Sequence, residues 1–256
     1  MAKLEIHQFP CLNDNYGYLV HEPVSGATAA IDTPEVKPIL TALEEKGWTL
    51  THILNTHHHF DHAGGNAELK EKTGCTVIGP KGEKDLIPGI DRAVGEGDIV
   101  ELGAARARVI EVPGHTRGHI AYSFDQEHVA FVGDTLFALG CGRLFEGTAQ
   151  QMWTSLGKLM ELPDDTVVYC AHEYTQANAR FALSVEPDNT ALAARAKEID
   201  EKRARGEWTV PTTIGLEKRT NPFLRAASPD LRRVLGLEAA PDVDVFAETR
   251  KRKDNF

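Results

Sequence analysis

The chain has 256 residues, enough for one large domain or two small ones. Hydrophobic residues make up 41% and charged ones 26%, an ordinary balance for a soluble globular protein. No apolar run approaches the ~18–20 residues that a bilayer span needs, so a membrane protein is not expected. The formal charge of −10 argues against a nucleic-acid partner, which would call for a basic footprint.

The opening MAKLEIHQFP lacks the basic-then-apolar layout of a signal peptide, so a cytoplasmic protein is expected. Leu4–Phe9, Tyr16–His21 and Thr28–Ile31 read as strands separated by Asn, Gly and Pro. A helix over Val36–Lys46 begins after Pro34 and stops at Gly47. Then come a strand at His52–Asn55, a helix at Asn66–Lys72 and a strand at Thr76–Ile78. Further strands fall at Ile99–Leu102, Ala107–Val112, His119–Phe124 and Val129–Val132, with Gly, Pro and Asp between them. A helix at Gln151–Glu161 and a strand at Thr166–Cys170 close this α/β part, which suggests sheets flanked by helices. Past about Tyr174 the spacing turns helical, at Gln176–Val185, Thr190–Arg205, Asp230–Leu237 and Val243–Lys253. We therefore expect a catalytic domain over 1–173 and a smaller helical one over 174–256.

The run Thr56-His57-His58-His59-Phe60-Asp61-His62-Ala63-Gly64-Gly65 carries most of the chemistry. Four imidazoles and a carboxylate lie within six residues, directly after an apolar strand. Neutral imidazole and carboxylate suit zinc, iron or manganese. Alternate side chains of an extended or turning backbone point the same way, so His57 and His59 can share an ion while His58 points elsewhere. Asp61 and His62, on the following turn, can reach a second ion.

Two ions need more ligands. Three later strands each end on a ligand-type residue: His115 after Val109–Val112 and a Pro-Gly turn, Asp134 after Ala130–Gly133, and His172 after Val167–Ala171. Loops at strand ends commonly carry function. The expected assignment gives His57, His59 and His115 to one ion and Asp61, His62 and His172 to the other, with Asp134 bridging. Each ion keeps an open position for water, as a catalytic site requires. His7, His21 and His128 are expected at the surface or a sheet edge. His52 and His58 flank the motif, and His119 is expected to orient a ligand rather than bind metal. The four cysteines, Cys11, Cys75, Cys141 and Cys170, form no C-x-x-C pair and read as reduced, buried thiols.

The segments T-H-H-H-F-D-H-A-G-G, P-G-H-T-R-G-H and G-D-T-L-F resemble the metallo-β-lactamase superfamily. That resemblance implies an αββα sandwich with metals at one edge. Superfamily members act on many substrates, so the fold alone does not name one. Gly140-Cys141-Gly142-Arg143-Leu144-Phe145-Glu146-Gly147-Thr148, then Cys170-Ala171-His172-Glu173-Tyr174-Thr175, Asn221-Pro222-Phe223-Leu224-Arg225 and the ending Arg250-Lys251-Arg252-Lys253-Asp254-Asn255-Phe256 narrow it. They resemble the glyoxalase II (hydroxyacylglutathione hydrolase) family nearly end to end. The resemblance implies that Arg143, Tyr174, Arg250 and Lys253 hold the glutathione part of the substrate. Glutathione carries two carboxylates, and an acidic protein needs a local basic patch to hold them. Some family members have Tyr where Phe145 stands; Phe145 offers no phenol and is left to pack against the ligand.

The expected reaction is hydrolysis of S-D-lactoylglutathione to D-lactate and glutathione, the second step of methylglyoxal detoxification. Two divalent ions, zinc first, with iron or manganese as alternatives, would lower the pKa of a bridging water toward ~7. Asp61 and Asp134 are the catalytic carboxylates of this reading; Asp61 could orient the water or accept its proton. The thiolate leaves without a general acid, since its parent thiol has a pKa of ~8.5. No Ser or Cys nucleophile is required, and no G-x-S-x-G elbow is present. A lactonase or β-lactamase would share the metals but not the glutathione loop. A mono-iron persulfide oxygenase would not need the second set of ligands, and a non-enzymatic scaffold would lack some of them. A monomer acting on a small molecule is expected.

Overall fold

The computed structural model describes residues 4–256. Met1–Lys3, where the segment read as lacking a leader begins, lie outside the described residues. The chain forms two compact units: residues up to Glu111 with Arg117–Gly133, and Val112–Thr116 with Asp134–Phe256.

The first unit opens with an antiparallel meander, β1 (Glu5–Cys11), β2 (Asn15–Glu22) and β3 (Ala27–Ile31). Helix α1 (Val36–Lys46) crosses over to β4 (His52–Leu54), which lies parallel to β3. It ends at Gly47, whose φ of 65° is left-handed. Two short helices, α2 (Phe60–Ala63) and α3 (Asn66–Thr73), lead to β5 (Thr76–Pro80), parallel to β4. A 3₁₀ turn at Lys81–Glu83 and strand β6 (Arg92–Val94) complete this sheet, in the order β1-β2-β3-β4-β5-β6. One face packs under the helices: Leu19, Ala30, Ile53 and Val77 meet Ile39, Leu43 and Leu69 in one buried cluster. Strands β7 (Ile99–Leu102), β8 (Ala105–Glu111), β9 (Ile120–Phe124) and β10 (Val129–Gly133) form an antiparallel run facing it. Tyr18 of β2 meets Phe131 of β10 edge-on at 5.5 Å, and the buried Tyr122 hydroxyl donates to the Asn55 carbonyl at 2.9 Å.

Parallel pairing decides where the first unit's chemistry lies. The register places Ile31 beside Leu54, and Leu54 beside Ile78. The residues that follow the strands, Asp32, Asn55–Thr56 and Lys81–Glu83, therefore leave the sheet at the same edge.

The second unit contains the hairpin β11 (Leu136–Phe137) and β12 (Gly140–Cys141), helix α4 (Ala149–Met160) and strand β13 (Val167–Cys170). Helices α5 (Thr175–Val185) and α6 (Thr190–Ala204), strand β14 (Thr212–Thr213) paired with β13, and helices α7 (Ile214–Thr220), α8 (Pro229–Leu235) and α9 (Asp242–Asp254) follow. Helix α4 starts two residues before the expected Gln151 because Thr148 and Gln151 form a capping box. Leu139, Ala179, Ala182, Leu192, Ala196 and Ile199 form a small core.

A buried polar network steadies the β11–β12 hairpin. Glu217, fully buried, accepts from the Leu139 amide at 2.9 Å and pairs with the buried Arg195 guanidinium. Asn221, also fully buried, donates to the carbonyls of Phe137 (3.2 Å) and Gly140 (3.0 Å) and caps Phe223. Arg225 pairs with the buried carboxylate of Glu186. The Asn221-Pro222-Phe223-Leu224-Arg225 motif is thus a clamp on the hairpin and its neighbouring helices.

Removing one member of a buried ion pair leaves its partner's charge unmatched. Glu217→Ala is expected to cost about 3–5 kcal/mol, read as a lowered denaturant midpoint with an unchanged slope. A loss below about 1 kcal/mol would show that the network does not hold the hairpin.

Candidate metal centre

In the first unit, His57, His59, Asp61 and His62 fold onto one another around the start of α2. His57 is fully buried, and its Nε2 lies 3.1 Å from Nδ1 of His59. The ring of His62 is 4.0 Å from that of His57, centroid to centroid. His119, four residues beyond His115, stacks on His57 at 4.6 Å. His58 is held by Glu83, its Nδ1 2.9 Å from the carboxylate, but its ring still meets that of His59 edge-on at 4.9 Å, so the alternation separates the rings only in part.

Asp32, which the sequence reading did not single out, fixes this half. Its carboxylate accepts from the Thr56 amide (2.7 Å) and hydroxyl (2.8 Å) and lies 2.8 Å from His62 Nδ1. Its φ of 56° is strained for a residue with a side chain, and those three contacts hold it there. Gly133 has no alternative: a Cβ there would lie 2.6 Å from Thr56 Oγ1 and 2.8 Å from the His119 ring.

In the second unit, Asp134 gathers two imidazoles. Oδ2 lies 3.3 Å from His115 Nε2, and Oδ1 lies 3.4 Å from His172 Nε2. His115 donates its Nδ1–H to the Arg143 carbonyl at 2.9 Å.

These contacts fit a metal site on the chemistry of the donors. A carbonyl only accepts, so a neutral His115 has its proton on Nδ1 and a lone pair on Nε2. That lone pair faces a carboxylate oxygen. His62 repeats the arrangement: Nδ1 is against Asp32, and Nε2 lies 3.5 Å from Asp61 Oδ2. Facing acceptors repel unless a cation lies between them. Two ligand atoms on a tetrahedral ion with bonds of ~2.0–2.1 Å stand about 3.3 Å apart, close to the spacings found here. Metal-bound histidines almost always donate the other ring N–H to a carboxylate or carbonyl, as His62 and His115 do.

The expected substrate residues all lie in the second unit. Phe145 is 62% exposed, with its ring edge-on to His115 at 5.2 Å. Tyr174 stacks parallel on His172 at 4.7 Å. Arg143 is exposed. Lys253 is half-buried, with Nζ 5.4 Å from the Phe181 ring and 5.5 Å from that of Phe256. Burial, then the charges of Arg250, Arg180 and Arg143, hold its pKa below the ordinary value. Arg180, on α5, is exposed, and the sequence reading named it in no role. Arg250 differs from its neighbours: only 5% exposed, it donates to the Cys141 carbonyl at 2.9 Å, pairs with Asp254 and lies over Phe223. Its guanidinium is occupied in holding the Gly140–Gly142 loop.

All four cysteines are buried, and none is in a disulfide. Burial is the main cause that pushes Cys11 and Cys170 to about 12, Cys141 to about 11, and Cys75 upward. Thiols so shifted are inert as nucleophiles.

Comparison with known proteins agrees with the geometry. Residues 19–172 match the metallo-beta-lactamase superfamily, and residues 173–256 match the hydroxyacylglutathione hydrolase C-terminus. The hydroxyacylglutathione hydrolase of Rhizobium meliloti (strain 1021) is 61% identical over 256 residues, all of both chains. That of Maricaulis maris (strain MCS10) is 56% identical over the same span. Among solved structures, ETHE1 from Myxococcus xanthus superposes with a TM-score of 0.67 at 27% identity, covering 97% of this chain and 98% of its own.

The chain belongs to the metallo-beta-lactamase superfamily, with the expected α/β fold and helical C-terminal region, and its His and Asp groups bind divalent metal. Within that superfamily it is a member of the hydroxyacylglutathione hydrolase family.

Arg250→Ala is expected to destabilise the protein by about 1.5–3 kcal/mol, since a buried carbonyl and Asp254 lose a charged donor. Thermal unfolding reads this directly; an unchanged Tm would show that the guanidinium does not hold the loop.

Proposed function

We infer that this enzyme hydrolyses S-(2-hydroxyacyl)glutathione thioesters, S-D-lactoylglutathione among them, to the 2-hydroxy acid and glutathione. The observation that carries the reading is the full-length 61% identity to a hydroxyacylglutathione hydrolase, spanning both the metal motifs and the helical region.

We propose that His57, His59 and His115 hold one divalent ion and Asp61, His62 and His172 a second, with Asp134 shared between them. The facing donor pairs within each unit support this. The donor set, without Cys, suits zinc, with iron or manganese as alternatives. When bound, the ions would supply an activated water and polarise the thioester carbonyl.

The protein's own contributions follow from its residues. Asp32 and the Arg143 carbonyl keep protons on the far nitrogens of His62 and His115, so the near nitrogens stay available. Asp61 is held by Asn15, whose amide donates at 3.1 Å, and is proposed to orient the water or accept its proton. Tyr174 is proposed to help hold the glutathione part, and Phe145 to pack against the ligand. Arg143 and Lys253, with residues 174–256 behind them, are proposed to hold the glutathione carboxylates, with Arg250 fixing the loop that presents Arg143. No cysteine is assigned a role.

The charge of −10 supports a small-molecule substrate over nucleic acid. We propose a cytoplasmic monomer.

Thiol release from S-D-lactoylglutathione tests the reading. Release that chelation abolishes and added metal restores is expected; none from fully metallated protein would reject the substrate. Asp134→Ala is expected to lose metal and activity together, by more than about a hundredfold, the upper end for outer partners alone. Retained activity at full metal content would remove the shared carboxylate.

Lys253→Ala should raise KM about tenfold, the worth of one charged contact, with little change in kcat. The sign with pH follows from its lowered pKa. The ammonium is present at neutral pH and is lost as pH rises through a value below the ordinary 10.5. The alkaline limb of kcat/KM that this produces should vanish in Lys253→Ala; an unaltered limb would assign it to another group.

A further inference from the structure

Glu83 lies outside every motif named above, yet it is the buried carboxylate on which two loops of the first unit converge. It is only 4% exposed. Its Oε2 accepts from the His58 amide at 2.8 Å and lies 2.9 Å from His58 Nδ1, while Oε1 accepts from the Gly118 amide at 2.7 Å. Among the described residues no Lys or Arg pairs with it; two backbone amides and the His58 ring hold it. Burying a carboxylate is costly, and here the cost secures two loops rather than a core.

We propose that Glu83 is the positioning residue that sets the orientation of His57 and His59, and with it the protein's affinity for metal. This rests on the proposed ligand roles of those two histidines. Holding His58 by both its amide and its ring fixes the twist of residues 57–59. With His58 so held, its ring meets that of His59 edge-on at 4.9 Å, and Nε2 of His57 and Nδ1 of His59 stand 3.1 Å apart. Oε1 holds Gly118 next to His119, whose ring stacks on His57 at 4.6 Å. One carboxylate therefore restrains His57 from both sides: through its chain neighbour, and through the ring stacked on it.

The surroundings are shaped for this length of side chain. A Cβ on Gly118 would lie 2.7 Å from Glu83 Cγ and 2.9 Å from the Gly82 carbonyl carbon, so only glycine admits the contact. Aspartate would fall short of one loop. Glutamine has the reach, but its amide would present N–H groups to a neighbourhood of N–H donors.

The test measures zinc affinity of the full chain by competition with a chromophoric chelator, with no thioester present. It therefore reads independently of the substrate assignment. Glu83→Gln is expected to weaken zinc binding 10–100-fold, the range for partners of metal ligands. Gly118→Ala, which keeps the carboxylate and takes its room, is expected to weaken it likewise. Ile39→Ala, in the core under α1, serves as the stability control: it should lower Tm at least as much while leaving affinity within about threefold. Wild-type affinity in Glu83→Gln, or a loss in Ile39→Ala equal to that in Glu83→Gln, would overturn the proposal, the second by showing that general destabilisation explains the effect.

Discussion

A neutral imidazole offers one lone pair and one N–H, and a metal ligand is useful only if the protein decides which nitrogen carries which. The clearest cases are His62 and His115. Asp32 faces Nδ1 of His62, and the Arg143 carbonyl accepts from Nδ1 of His115. Both acceptors are main-chain groups or short side chains at strand ends, with little freedom to move. Their placement follows from the sheets: Asp32 leaves β3 beside Thr56 because β3 and β4 run parallel and in register. Antiparallel pairing there would send the two residues to opposite edges.

Several carboxylates are buried in this chain, and they serve different ends. Asp32, Glu83, Glu186 and Glu217 are all 5% exposed or less. Two of them meet guanidinium groups in the second unit, at Glu186 and Glu217, and serve packing. The other two are neutralised by amides, a hydroxyl and imidazoles, and their neighbours are the histidine loops. A buried ion pair adds little net stability, whereas a carboxylate held by directional N–H groups fixes geometry. The division matches the two tasks: one unit secures a hairpin and the other orients rings.

The metal motifs were legible because the chemistry is local. Alternation within Thr56–His62 set His58 apart from His57 and His59, and the structure has His58 on Glu83 with its ring still edge-on to that of His59. The long helices and most strands were legible from periodicity and from Gly, Pro and Thr at their ends. What escaped was short or distant. Strands β6 and β14 span three and two residues, too few for a period to register, and α7 spans seven. Asp32 and Glu83 act across about 25 residues of chain, through pairing that no local pattern displays. The Asn221–Arg225 motif could be matched to a family, but its clamp on the hairpin required the fold.

The C-terminal run shows why charge alone does not assign a role. Arg250 and Lys253 lie three residues apart on α9, nearly one turn, and read as equivalent cations in the sequence. Arginine's planar fork reaches the Cys141 carbonyl and Asp254 together and lies over Phe223, so burial leaves it satisfied. Lysine's single ammonium, between two aromatic rings and near three guanidinium groups, keeps its charge at the expense of a lowered pKa. A cation so placed gains most from an arriving anion, because a carboxylate would offset both the desolvation and the like-charge repulsion. The buried arginine has its anion already. Of two residues that the sequence ranks alike, the less comfortable one is the better candidate to meet substrate.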